Sequence, residues 1–215
     1  MNSKIQSRPF VYIVDDDASV RNSLLNLFRS VDFSVAAFNS PADFLEKQLV
    51  DVPSCIILDV RMPGVSGLDF QAKLLEVGVE IPIIFLTGRG DIQMSVRAMK
   101  SGAIDFLTKP YREQDILDAV AAAIERDQKR REILRLTSEL RTCFETLSRR
   151  EKEAMSLLAS GLMNKQVAEK MGLAEITVKI HRGNVMRKMR AKSFADLVKM
   201  SEALGISRGI LHAQT

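Results

Sequence analysis

Cysteine is scarce in these 215 residues, with Cys55 and Cys143 the only two. Cys55 lies in an apolar run and Cys143 in a helical pattern, so neither a disulfide framework nor a zinc site is read, and a reducing cytoplasm is the default. No apolar stretch is long enough to span a bilayer, and the first residues are polar, so neither a membrane helix nor a secretory signal is expected. Glycine and proline are both missing from residues 111–160. A stretch without breakers reads as a long helix running out of a first domain. The alternative is a short terminal helix, a polar linker and a separate helix. Its apolar stripe (Ile133, Leu136, Leu140, Phe144, Leu147) could also pair with a second chain as a short coiled coil.

What is present divides the chain by charge. Residues 1–125 carry 12 Lys+Arg against 17 Asp+Glu, a net of −5, whereas residues 126–215 carry 19 against 10, a net of +9. The acidic part is excluded as a general nucleic-acid binder. The basic part is either such a binder or merely well solvated.

The acidic part alternates short apolar runs with amphipathic stretches. Strands are predicted at 10–14, 34–38, 55–58, 83–86 and 104–107. Ser40-Pro41-Ala42-Asp43 supplies an N-cap, a proline at the first helical position and an acid at the third. Five such units imply a parallel sheet covered on both faces, with ligands bound beyond the carboxyl ends of its strands. Asp15, Asp16 and Asp17 follow the first strand, Asp59 ends the third, Thr87 follows the fourth and Lys109 the fifth, so all converge on one rim. Clustered carboxylates repel one another unless a cation lies among them. Hard oxygens suit Mg²⁺, with Mn²⁺ as the alternative. Lys109 balances the remaining charge, Thr87 offers a hydroxyl, and an Asp in such a setting is a competent nucleophile toward phosphorus.

The basic part opens with Ser148 and Glu151 as a capping box, and Gly161 stops that helix. Asn164 is read as the cap of a short helix ended by Gly172, and a second helix follows over about 175–189. Two helices joined by a brief glycine-containing turn are a helix-turn-helix. A final helix, about 193–204, completes a small core.

"VDDD", "LDVRMPGVSG", "LTGRGD" and "DFLTKP" stand in the order and spacing of a response-regulator receiver domain, which the chain resembles over about residues 8–125. The resemblance implies a doubly wound, flavodoxin-like five-stranded α/β fold with Asp59 as phosphoacceptor. It implies Asp16, Asp59 and the backbone carbonyl of Arg61 as metal ligands, with Asp15 acting through a metal-bound water. Thr87 and Lys109 would hold the phosphoryl oxygens, Gly88 would leave room beside them, and Phe106 occupies the aromatic switch position. Lys109-Pro110 matches a bond that is cis in the family. Gly64 and Gly67 are read as serving loop geometry. Arg61 and Arg89 sit where the family tunes phosphoryl lifetime. Asp17 matches no obligatory ligand and is read as a surface acid or helix cap.

The segment from about Leu147 to Leu204 resembles the LuxR-type (NarL/FixJ) helix-turn-helix. Val178, Val185 and Met189 are predicted core, with His181 a partly buried structural residue. Ile176, Lys179, Ile180, Gly183 and Arg187 are expected to face the major groove, with Thr177, Arg182 and Lys188 positioning on the DNA backbone and Asn164 and Lys165 reaching phosphate. Two residues depart from the family pattern. Ala174 stands where a capping Ser or Thr is usual, and Gly183 sits mid-helix on the groove face, implying either lost readout of one base pair or a close approach to DNA.

The reading that follows is a regulator with a receiver at 1–125, a helical linker at 126–146 and a DNA-binding domain at 147–215. A sensor histidine kinase would phosphorylate Asp59, the receivers would form a homodimer, and double-stranded DNA would be bound to act on the transcription machinery. No membrane partner and no enzymatic turnover of an external substrate are expected, and the location is cytoplasmic. Two alternatives stay open: a metal-dependent phosphatase using Asp15-x-Asp17, and a DNA-binding protein whose receiver no longer accepts phosphate.

Overall fold

A computed structural model describes residues 8–88 and 92–206. The chain divides into two compact units, Met1–Arg131 and Glu132–Thr215. The first is built as β1 (Phe10–Val14), α1 (Ala18–Ser30), β2 (Ser34–Phe38), α2 (Pro41–Leu45), β3 (Ser54–Asp59), β4 (Arg61–Met62), β5 (Val65–Ser66), α3 (Gly67–Glu76), β6 (Ile83–Thr87), α4 (Ile92–Lys100) and β7 (Asp105–Thr108). α5 (Glu113–Glu145) follows as one uninterrupted helix, the longer of the two arrangements the sequence allows. Five strands form a parallel sheet in the order β2-β1-β3-β6-β7.

Alternation along the strands sends side chains to two separate cores. Tyr12, Val14, Ile56, Leu58 and Phe85 pack on one face with Phe44 of α2, Phe70 and Leu74 of α3 and Ala98 of α4. Val11, Ile13, Ile57, Ile84 and Leu86 pack on the other with Leu24 and Phe28 of α1 and Ile116, Val120 and Ile124 of α5. Each fully buried Ile, Leu or Phe contributes about 2 kcal/mol, so both faces must be covered. The expected cap of α2 is present: Ser40 Oγ accepts from Asp43 N–H at 3.2 Å with Pro41 at the first helical position.

Asp127 of α5 is wholly buried at the amino end of the sheet. Its carboxylate accepts from Ser54 N–H at 2.9 Å, from Arg130 Nε at 2.9 Å and from Arg131 Nε at 2.6 Å. Arg130 and Arg131 continue to Glu80 and Asp51. These bonds hold residues 126–131 against the sheet, and the first unit accordingly extends past the predicted limit of 125.

The second unit contains α6 (Arg149–Ala159), α7 (Asn164–Met171), α8 (Glu175–Lys188) and α9 (Phe194–Ala203). Ser148 and Glu151 form the predicted capping box. α7 differs from expectation. Met163 takes the N-cap position and its N–H donates to Gln166 Oε1 at 2.9 Å, while Asn164 is the first helical residue and its Oδ1 is buried without a partner. Gln166 thus satisfies the amide of the N-cap residue, and the cap bond expected of the Asn164 side chain is not made. Gly172 closes α7 at φ +64°, the left-handed cap that glycine adopts freely. Val178, Val185 and Met189 are buried as predicted.

Ala174 holds the N-cap position of α8 with extended dihedrals (φ −70°, ψ 146°) and no side-chain bond. The backbone is already in capping geometry and only the acceptor is missing. Ala174→Ser is expected to stabilise the second unit by about 1 kcal/mol. Chemical denaturation of the two chains checks this, and an unchanged midpoint would count against an unmet cap.

Candidate functional site

The parallel order brings the carboxyl ends of β1, β3, β6 and β7 to one rim. β1 delivers Asp15 and Asp16, β3 ends at Asp59, β6 ends at Thr87, and Lys109 follows β7. Asp15 and Thr87 are buried, Asp59 is 7% exposed, and Asp16 faces solvent. Lys109 Nζ lies 2.6 Å from Asp15 Oδ2 and 3.2 Å from Asp59 Oδ2. Asp15 Oδ1 accepts from Asp17 N–H at 2.9 Å, and Asp59 Oδ1 accepts from Arg61 N–H at 3.3 Å. Lys109-Pro110 is cis.

The charges act on one another. Burial pushes the Asp15 carboxyl above its usual range, against the opposing pull of Lys109 and the Asp17 amide. Burial alone would lower the Lys109 ammonium, but its hydrogen bond to Asp15 and the fields of Asp15 and Asp59 outweigh that and raise it. Lys109 therefore stays charged. One carboxylate oxygen from each of Asp15, Asp16 and Asp59 lies within 4.8 Å of the others. Two buried acids and one exposed acid fit a small hard cation that keeps waters on its open side.

Asp17 lies outside this cluster. It caps α1, its Oδ1 accepting from Ser19 N–H at 2.7 Å and Val20 N–H at 3.4 Å. The phosphatase alternative needs Asp15 and Asp17 as a working pair, and Asp17 is spent on the helix. Gly88 is exposed with open space where a Cβ would stand. Phe106 is half-buried, its ring 6.4 Å from that of Phe85. Arg61 is exposed and begins a two-residue antiparallel pairing with Val65–Ser66. Arg89 lies outside the described residues.

Gly67 has a role that its sequence position does not reveal. Its φ is not left-handed. A Cβ there would stand 2.3 Å from the Asp59 carbonyl oxygen and 3.0 Å from Val60 Cα. Gly67 N–H donates to the Val60 carbonyl at 2.9 Å. The first turn of α3 thus lies directly on the backbone of the candidate phosphoacceptor. Arg21, also missed, donates from Nη1 to the Asp15 carbonyl at 2.7 Å and fixes the start of the acidic loop.

On α8, Ile176, Lys179, Ile180, Gly183 and Arg187 are exposed. Two bare isoleucines, 65% and 58% exposed, are costly on a solvated helix and suit contact with thymine methyls. Lys179 pairs with Glu175 at 3.1 Å. Thr177 is half-buried and Lys165 exposed. Arg182 lies over the Phe194 ring at 4.9 Å, which ties α8 to α9. Lys188 is committed inward: its Nζ is 2.6 Å from Glu151 Oε2 and 3.2 Å from the Thr146 carbonyl. The Lys188 hydrogen bond, with the Ser148 amide behind it, holds the Glu151 carboxyl below its usual range. Lys188 is thereby a strut of the small core, a role that its place among basic residues did not suggest. His181 is half-buried, with its Nδ1 buried and unpartnered.

Two family models match the chain: the response regulator receiver domain over residues 11–121, and the luxR family of bacterial regulatory proteins over residues 145–201. It belongs to the NarL/FixJ family of response regulators. Nodulation protein W of Bradyrhizobium diazoefficiens is 59% identical over 96% of this chain and 91% of its own. The response regulator protein TmoT of Ectopseudomonas mendocina is 46% identical over 90% and 88%. The solved structure of the response regulator StyR is 45% identical and aligns with a TM-score of 0.79 over 91% of this chain and 99% of its own. This response regulator therefore pairs a receiver with a DNA-binding domain. Its receiver implies a sensor kinase as partner, and its LuxR-type domain implies DNA.

Proposed function

We propose that phosphorylation of Asp59 by a sensor histidine kinase, with Mg²⁺ in the pocket, drives homodimerisation and sequence-specific binding to double-stranded DNA, activating transcription. The observation that carries this reading is Asp59 itself: nearly buried, on a strand end, beside two further acids and one lysine. Asp15, Asp16, Asp59 and the Arg61 carbonyl would hold the metal. When bound it supplies positive charge that offsets repulsion between the carboxylates and the incoming phosphoryl oxygens.

The Asp59 carboxylate attacks phosphorus. A P–O bond forms, the P–N bond to the donor histidine breaks, and the imidazole leaves with the electron pair and takes up a proton. Lys109, already beside Asp59, moves its charge to the phosphoryl oxygens, and the Thr87 hydroxyl donates to another. Gly88 leaves the approach open. The chain acts as a switch that accepts one group and loses it slowly to water, not as an enzyme for an external substrate, and it works in the cytoplasm. Among the described residues no helix is long and apolar enough to cross a membrane.

The dimer surface is supported by α4. Ile92 (83% exposed), Val96 and Met99 recur at spacings of four and three, leaving one apolar stripe on a solvated helix. Pairing two receivers there raises the effective concentration of the two DNA-reading units at paired half-sites. Sizing by light scattering tests the scheme. Beryllofluoride with Mg²⁺ is expected to convert monomer to dimer and tighten operator binding about tenfold or more. Unchanged mass and unchanged affinity would refute it.

A further inference from the structure

The exposed face of α8 is poor in hydrogen-bonding groups. Val178 and Val185 hold the other face in the core. Ile176 and Ile180 stand 65% and 58% exposed, one turn apart on the same side of the helix. Gly183 extends that side with no side chain, and open space lies where its Cβ would stand. The charged neighbours are tied along the helix: Lys179 Nζ pairs with Glu175 Oε1 at 3.1 Å, and Arg187 Nη2 donates to Asn184 Oδ1 at 3.3 Å.

Two branched alkyl side chains standing in water gain from being covered. What covers them follows from the reading of α8 as the helix that enters the major groove, on which this inference rests. On the floor of that groove thymine presents a methyl group and an O4 acceptor, whereas cytosine presents an N4 donor. Isoleucine neither donates nor accepts, so its contact favours the base that carries the methyl. The separation of Ile176 and Ile180 is about 6 Å along the helix axis, close to the rise of about two base pairs.

We propose that Ile176 and Ile180 are specificity determinants for pyrimidine 5-methyl groups, two per half-site and about two base pairs apart. The base at each position is chosen by apolar contact and not by a hydrogen bond. The rule extends to a modified base. 5-Methylcytosine carries the same methyl at the same place, so methylating a cytosine at either position tightens binding.

The full chain, with beryllofluoride and Mg²⁺ and without them, first selects from duplexes holding roughly two helical turns of random sequence. Enriched half-sites are expected to carry thymine at two positions about two base pairs apart. Exchanging either thymine for deoxyuridine removes only the methyl. It is expected to weaken binding about threefold to fivefold, and about tenfold or more when both are exchanged. A cytosine at either position is expected to bind about threefold to fivefold more tightly once 5-methylated. Ile180→Ala trims an exposed side chain to a better helix former, so the melting temperature does not fall. This variant is expected to lose the deoxyuridine penalty at one position and keep it at the other, and Ile176→Ala shows the converse. Deoxyuridine duplexes bound as tightly as thymine duplexes, or a penalty that survives both substitutions, would overturn the proposal while leaving DNA binding intact. A chain that enriches no sequence would overturn it together with the reading of α8 as the DNA-reading helix.

Discussion

Asp59→Asn lowers Mg²⁺-dependent phosphorylation by a small phosphodonor by about 100-fold or more, while thermal stability changes by no more than about 1 kcal/mol. The amide keeps the shape and the bond from Arg61 N–H but has no anionic oxygen for attack on phosphorus. It also removes one of three acids from the cluster, so metal affinity falls together with labelling. Intact mass spectrometry reads the adduct, and isothermal titration with Mg²⁺ alone reads the affinity. Undiminished labelling of the variant, or an adduct mapped to Asp15 or Asp16, would place the nucleophile elsewhere.

Gly67→Ala disrupts the same pocket without touching a charge. The added Cβ would stand 2.3 Å from the Asp59 carbonyl oxygen, and the obstruction is backbone that cannot rotate away as a side chain does. Either α3 withdraws from β3 or the end of β3 bends. The first breaks the bond from Gly67 N–H to Val60, and the second displaces Asp59 from its partners. Overpacking of this kind costs about 3 kcal/mol, a fall in melting temperature on the order of 10 °C for the first unit. The same replacement at Gly183, where a Cβ meets open space, supplies the control and is expected to be neutral or slightly stabilising. If the two variants melt alike, the close approach at Gly67 is not a constraint.

The sequence yields most of the sheet because alternation and strand-end acids are local signals. Phe10–Val14 and Ser34–Phe38 match their predicted limits. The fifth strand is displaced by one residue, from 104–107 to 105–108, because the apolar run includes Ile104 whereas pairing with β6 begins at Asp105. β4 and β5 went unread, since two-residue strands have no period. The rim residues were legible because each follows a strand. What escaped depends on partners far along the chain. Asp127 sits in a charged run that reads as solvated helix, and only Ser54, 73 residues earlier, reveals it as buried. Lys188 reads as a DNA cation until Glu151, 37 residues earlier, is seen to hold it. Gly67 reads as a loop residue because a missing Cβ leaves no mark on a pattern.

β3 is fastened at both extremities. Asp127 grips its first amide, and Lys109 draws in the carboxylate of its last residue. A strand secured in this way, hydrogen-bonded along its length to β1 and β6, cannot ratchet along its own axis. Any mechanical response to a chemical event at Asp59 must therefore spread sideways, through the segment leading into α3, and the middle of the sheet serves as a fixed anvil and not as a piston.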